Sequence, residues 1–131
     1  MYQKIVIIGN LGRDPEMRYL DSGKAVTNFN VAVNNKYKDN DETIWFRVSA
    51  WGKQAESANQ YLKSGSKVLV EGKLTADKET GNPRVFQKKD GAYSATFEIM
   101  ADRVVFMDSK KTSDTVSEKQ DDLFSENESP F

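Results

Sequence analysis

The chain has 131 residues, neither cysteine nor histidine, and a formal net charge of −1. That length fits one domain with a tail. Without cysteine there is no disulfide framework and no thiolate metal site, which suits a reducing compartment. Without histidine the commonest general base and metal ligand are gone, so Ser-His and Cys-His catalytic arrangements are excluded.

No catalytic residue, cofactor or metal is expected. There is no run of about 18 apolar residues, so no membrane span and no membrane partner. The opening Met-Tyr-Gln-Lys-Ile-Val-Ile-Ile-Gly enters a strand at once, with no signal-peptide or presequence pattern. The expected location is the cytoplasm. Charge is polarised along the chain. Residues 1–111 carry 18 Lys and Arg against 14 Asp and Glu, a balance of +4; residues 112–131 carry one Lys against six acids, a balance of −5. A basic body with an acidic tail is informative where the total is not.

Lys4 to Ile8 reads as a buried strand, apolar and β-branched after the lysine. Gly9-Asn10-Leu11-Gly12-Arg13-Asp14-Pro15 breaks it. Gly9-x-x-Gly12 fits the short glycine loop that clamps nucleotides in KH domains, but no helix pattern follows. A P-loop is excluded, because no Gly-Lys-Ser/Thr follows at the required spacing. Glu16 to Leu20 forms a short strand, and Asp21-Ser22-Gly23 a turn. Val26 to Asn34 alternates. Phe29, Val31 and Val33 face one way; Asn28, Asn30, Ala32 and Asn34 face the other, as a solvated surface or one that meets bases and sugars. Lys36-Tyr37-Lys38 opens a polar loop to Glu42. A ring between two cations can stack on a base while the cations meet phosphates. The acids Asp39, Asp41 and Glu42 lack the glycine of a calcium loop.

Thr43 to Trp51 carries the sharpest signal. Ile44, Phe46, Val48 and Ala50 make one face; Trp45, Arg47, Ser49 and Trp51 make the other. Both tryptophans of the chain share a face with Arg and Ser. The alternation leaves several readings open: a sheet buried on both sides, a subunit interface, or a stacking platform with a cation between the rings. At about 3.3 Å per residue the two rings stand about 20 Å apart, so they would hold separate nucleotides. Phe46 belongs to the other face and is not expected to touch such nucleotides.

Gly52 ends the strand, and Lys53 to Lys63 reads as a helix with Ala55, Ala58 and Leu62 on one face and Gly65 as its stop. Lys67 to Leu74 is a strand with Val68, Val70 and Leu74 inward, and Glu71-Gly72 marks a bulge or a close backbone approach. Thr75 to Tyr93 is a long polar hairpin arm. Its Arg84, Val85 and Phe86 read as a strand, and its Lys88-Lys89 is solvated or touches phosphates. Thr96 to Phe106 is the last strand, with Phe97, Ile99 and Ala101 on one side. Lys110 to Glu128 has too few large apolar residues to fold alone. Phe131 reads as a docking peg.

Three strands, one helix and two strands is the order of an OB-fold, although an SH3-like barrel or an open sandwich fits the pattern as well. The expected class is all-β: a five-stranded Greek-key OB barrel over residues 1–108, with one helix between strands three and four, and a disordered acidic C-terminal tail over 109–131.

Particular segments resemble the bacterial or phage-encoded single-stranded DNA-binding protein family. They are Gly9-Asn10-Leu11-Gly12-Arg13-Asp14-Pro15-Glu16 with Arg18-Tyr19; Trp45-Phe46-Arg47-Val48 leading to Trp51-Gly52-Lys53-Gln54-Ala55-Glu56; Tyr61-Leu62-Lys63 with Gly65-Ser66; Val70-Glu71-Gly72-Lys73-Leu74; and the tail ending in Pro130-Phe131. The resemblance implies a homotetramer that wraps single-stranded DNA without sequence preference during replication, recombination and repair, associated with the nucleoid. Stacking roles carry over to Tyr37, Trp45 and Trp51, and basic contacts to Lys4, Arg18, Lys53 and Lys78. Arg47, Lys36 and Asn30 join them from the residue reading. Partner docking falls to Asp121, Asp122, Pro130 and Phe131, which would recruit replication and repair proteins. The chain departs from the family at Glu79, where an aromatic is usual; Phe86 or Tyr93 would have to substitute. The acids before the tail tip are also more dilute than usual. Two other readings compete: an adaptor OB protein of the primosome type, and a small nuclease, the latter disfavoured by the missing His and Cys.

Overall fold

The computed structural model describes residues 1–108. Eight strands and one helix follow in order: β1 Ile5–Leu11, β2 Glu16–Tyr19, β3 Ala25–Tyr37, β4 Asn40–Trp51, α1 Lys53–Tyr61, β5 Lys67–Thr75, β6 Val85–Gln87, β7 Tyr93–Ala95 and β8 Phe97–Phe106. The main sheet runs β1-β5-β8-β4-β3-β2, and β1 also pairs β3. That pairing closes a barrel of five strands, β1-β5-β8-β4-β3, as expected of an OB-fold. The β4–β8 pair is parallel and the other pairings are antiparallel. Full closure leaves few exposed sheet edges.

The Gly9–Pro15 segment makes the closure possible. β1 pairs β5 over Ile5–Asn10, then β3 at Asn10 and Leu11; after the break, β2 pairs β3 from Glu16 to Tyr19. Gly9 is a strand residue, not part of a nucleotide-clamping loop. A Cβ on it would stand 2.3 Å from the Ala32 carbonyl oxygen. Asn10 Nδ2 donates to the Gly65 carbonyl at 3.0 Å, and the Ser64 N–H donates to Asp14 Oδ1 at 2.8 Å. The motif therefore ties the barrel seam to the loop after the helix.

The core is the inward phase of the strands: Ile7 and Leu11, Phe29 and Val31, Phe46, Val48 and Ala50, Val68 and Val70, Ile99 and Ala101. Ala58 and Leu62 of the helix segment plug one end. Thr27 is fully buried there and its hydroxyl donates to the Ala55 carbonyl at 2.6 Å. Glu71-Gly72 is a bulge, as the sequence suggested: the β5–β8 register slips between the two residues. A Cβ on Gly72 would stand 2.2 Å from the Met100 carbonyl oxygen, so only glycine lets the strands approach.

Several expectations are corrected. The Lys4–Ile8 run is not buried throughout, because Val6 and Ile8 point out and are 53% and 40% exposed. The Lys36–Glu42 loop is a hairpin whose paired strands continue to Tyr37 and Asn40, with Lys38 at φ 55° in the turn. Polar composition hid these strands; cross-strand polar pairing sustains them, as in the 2.8 Å bond from Thr43 Oγ1 to Asn34 Oδ1. The helix stops at Tyr61, since Leu62 is already extended, at φ −92° and ψ 150°. Leu74 is half exposed, because β1 pairs β5 only as far as Gly72 and leaves Leu74 uncovered.

Candidate nucleic-acid interface

Residues opposite one another across a sheet share a face. The register therefore maps the outer surface of β2, β3 and β4 in rows. Arg18, Val26 and Trp51 form one; Glu16, Asn28 and Ser49 the next; then Asn30 with Arg47; then Ala32 with Trp45. Glu98 and Met100 of β8 extend the rows of Arg47 and Ser49. The alternation read in the sequence holds: Phe46, Val48 and Ala50 are buried, while Trp45, Arg47 and Trp51 look outward.

The two tryptophans differ. Trp45 is 49% exposed and rests on Gly12, where a Cβ would stand 2.7 Å from both Cη2 and Cζ3 of the ring. Trp51 is half-buried beside the turn into the helix. Its indole N–H is buried with no hydrogen-bond partner among the described residues. The Lys24 ammonium lies over the Trp51 ring, 5.8 Å from its centroid. Between the tryptophans the surface is polar. Ser49 Oγ donates to Asn28 Oδ1 at 2.7 Å, and Arg13, Asp14, Glu16, Asn28, Asn30 and Arg47 line a shallow groove.

Charge is distributed to match. Among the described residues the ion pairs are Lys4–Glu71, Arg103–Glu71 and Arg84–Glu98. Arg13, Arg18, Lys24, Arg47 and Lys53 belong to none of them, so the tryptophan face keeps its cations available. On the β1–β5–β8 side, Glu71 holds both Lys4 and Arg103. Lys4 first, and then Arg103, lower the Glu71 pKa against the opposing effect of desolvation.

The described residues thus form a closed barrel that carries aromatics, and cations outside its ion pairs, on one face. The sequence model of the Single-strand binding protein family matches residues 2–107. The chain belongs to that family. It is 39% identical to the single-stranded DNA-binding protein of Helicobacter hepaticus over 87% of this chain and 66% of that one. The corresponding protein of Wolinella succinogenes is 36% identical over 92% of this chain and 74% of its own length. That of Neisseria meningitidis serogroup A is 38% identical over 77% of this chain and 57% of its own length.

Most of the predicted site residues gather on the tryptophan face. Arg18, Asn30, Trp45, Arg47 and Trp51 share it, and Lys53 follows Trp51 by two residues at the start of α1. Lys36 shares its phase farther up the hairpin, opposite Asp41. Three do not join. Tyr37 is exposed, but the unbroken register puts it in the phase of Val31 and Val33, on the other side of the hairpin from Trp45. Lys4 is engaged by Glu71. Lys78 stands apart in an exposed turn of the arm held by Asp77 Oδ1, which accepts from the Glu79 N–H at 2.8 Å. Phe86 pairs with Ser94 and Gln87 with Tyr93, so Phe86 and Tyr93 lie on opposite faces of the β6–β7 hairpin. Asp121, Asp122, Pro130 and Phe131 lie outside the described residues.

The sequence reading missed Gly12 as the seat of Trp45, the Ser49–Asn28 pair, Arg13 in the groove, and Lys24. The first two were partly legible. Gly12 stands in a segment that breaks the first strand, fits a KH-type glycine loop and carries the family resemblance, none of which gives it a ring as neighbour, and Asn28 and Ser49 each point outward in the alternation without their register.

Proposed function

We propose that this protein binds single-stranded DNA without sequence preference, by stacking bases on Trp45 and Trp51 and drawing phosphates to the surrounding cations. The observation that carries the reading is the tryptophan face itself. A half-exposed indole, cations outside the ion pairs of the described residues and a polar groove lined by Arg13, Asp14, Glu16, Asn28, Asn30 and Arg47 come together on one side of the barrel. Every base has a π-face, so stacking, worth about 1–3 kcal/mol per base, is indifferent to sequence. Anisotropy of labelled single strands of differing sequence, set against a duplex, tests this. Comparable affinity for the single strands and much weaker duplex binding is expected. Metal-dependent cleavage of the strand would favour the nuclease reading instead.

The same reading assigns the protein to replication, recombination and repair, where exposed single strands need cover. It also includes a homotetramer. β1 pairs β3 only at Asn10 and Leu11, so among the described residues one edge of Ile5–Gly9 carries no strand, and its outward Val6 and Ile8 are exposed. An open edge beside apolar side chains supports pairing with a second copy. The acidic tail, through Asp121, Asp122, Pro130 and Phe131, recruits partner proteins. Its −5 charge competes with DNA for the +4 body. Deleting residues 112–131 is expected to tighten DNA binding, most at low salt; equal affinity at low salt refutes the competition.

A further inference from the structure

We infer that Lys24 is a phosphate-binding residue of the Trp51 subsite, held over the ring in the free protein and handed to the phosphate of the nucleotide that stacks there. The inference rests on the single-stranded DNA reading above and adds a residue to it.

The backbone fixes Lys24 in this position. Its carbonyl accepts from the Leu20 N–H at 2.9 Å, and the Gly23 N–H donates to the Leu20 carbonyl at 2.8 Å, which closes the β2–β3 turn. Gly23 has φ 86°, a conformation that favours glycine. One residue on, the Ala25 carbonyl accepts from the Gly52 N–H at 2.9 Å. This bond joins the residue after Lys24 to the residue after Trp51. The lysine stem is therefore tethered beside the ring, while the side chain is exposed and in no ion pair among the described residues.

The ring limits how a base can approach. The pyrrole edge of Trp51 is turned inward, with its N–H buried, and Val26 opposite it is 1% exposed. The ammonium stands over the face, 5.8 Å from the centroid. A base stacking from that side takes the ammonium's place. The cation–π contact is lost. The displaced cation stays within reach of the ring and meets the backbone of the stacked nucleotide. Arg18, in the Trp51 row, and Lys53, two residues after Trp51, border the same place. Trp45 has no such cation over it among the described residues, where the cation–π contacts are Lys24–Trp51 and Lys38–Tyr37. The two tryptophans should therefore respond differently to salt.

The test uses the full chain carrying Trp45→Phe, so that Trp51 is the one fluorophore of its kind. Oligo-dT is titrated at several salt concentrations into this protein and into versions that add Lys24→Gln or Lys24→Arg. The Lys24→Gln protein should shift the Trp51 emission of the free state. It should also flatten the plot of log affinity against log salt by about 0.7 for each engaged subunit, the value of one phosphate. Lys24→Arg should restore the steeper slope. An unchanged slope in Lys24→Gln, or a slope equally flat in Lys24→Arg, overturns the inference while leaving DNA binding intact. Absence of binding by the natural sequence overturns the underlying reading, and this one with it.

Discussion

The indole of Trp45 lies directly over Gly12, with two ring carbons where a side chain at Gly12 would begin. The glycine-containing break after the first strand and the tryptophan of the β4 face are thus halves of one device. The break lets the chain cross from β5 to β3, and the missing side chain leaves a flat seat for the ring. Gly12→Ala should lift or rotate Trp45, shift its emission and weaken oligo-dT binding. Stability should fall by less than about 1 kcal/mol, because the neighbour that must move is a half-exposed side chain.

Gly72→Ala should behave in the opposite way. Its new methyl would meet the Met100 carbonyl of the adjoining strand, which has nowhere to move. A loss of about 1–3 kcal/mol is expected in denaturant unfolding, typical of overpacking, with DNA affinity per folded molecule little changed.

Trp45→Ala should cost about 1–3 kcal/mol of DNA binding with little loss of fold, since the ring is half exposed and stands outside the core. Trp51→Ala should reduce both, because that ring is half-buried opposite the buried Val26. Oligo-dT affinity and urea midpoints measured on both variants separate the two. Unfolding of the Trp45 variant would show that its ring is structural.

Glu71 links the β1–β5–β8 side to pH. Its folded pKa is depressed, by Lys4 first and then Arg103, so folding favours the ionised form. The contribution is present above the ordinary carboxylate range and is lost as pH falls through the lowered folded value. Glu71→Gln should therefore narrow the stability gap between neutral and acid pH, measured by denaturant unfolding at each pH. Salt should reduce the difference, because the pair is at the surface.

Strand phase was the legible part of this protein. Phe46, Val48, Ala50, Val68 and Val70 alternate as the sequence implies, and Glu71-Gly72 could be recognised as a bulge. Apolar periodicity reports burial, and it fails where burial and pairing separate. The hairpin from Lys36 to Glu42 is paired but solvated, so it reads as a loop. Val6 and Ile8 are apolar but exposed, so they read as core. Trp45 was assigned to its face but not to its seat on Gly12, because that contact spans 33 positions and depends on the barrel closing. Lys24 sits beside Trp51 only through the Ala25–Gly52 bond, which no local pattern announces.

The central claim is that Trp45 and Trp51 stack on single-stranded DNA while cations on the same face neutralise its backbone. Tryptophan emission followed during oligo-dT titration at several salt concentrations tests it most directly. The account predicts saturable quenching, and an affinity that falls linearly in log–log form as salt rises, by about 0.7 per phosphate neutralised. Binding without quenching, or no binding at low salt, would contradict it.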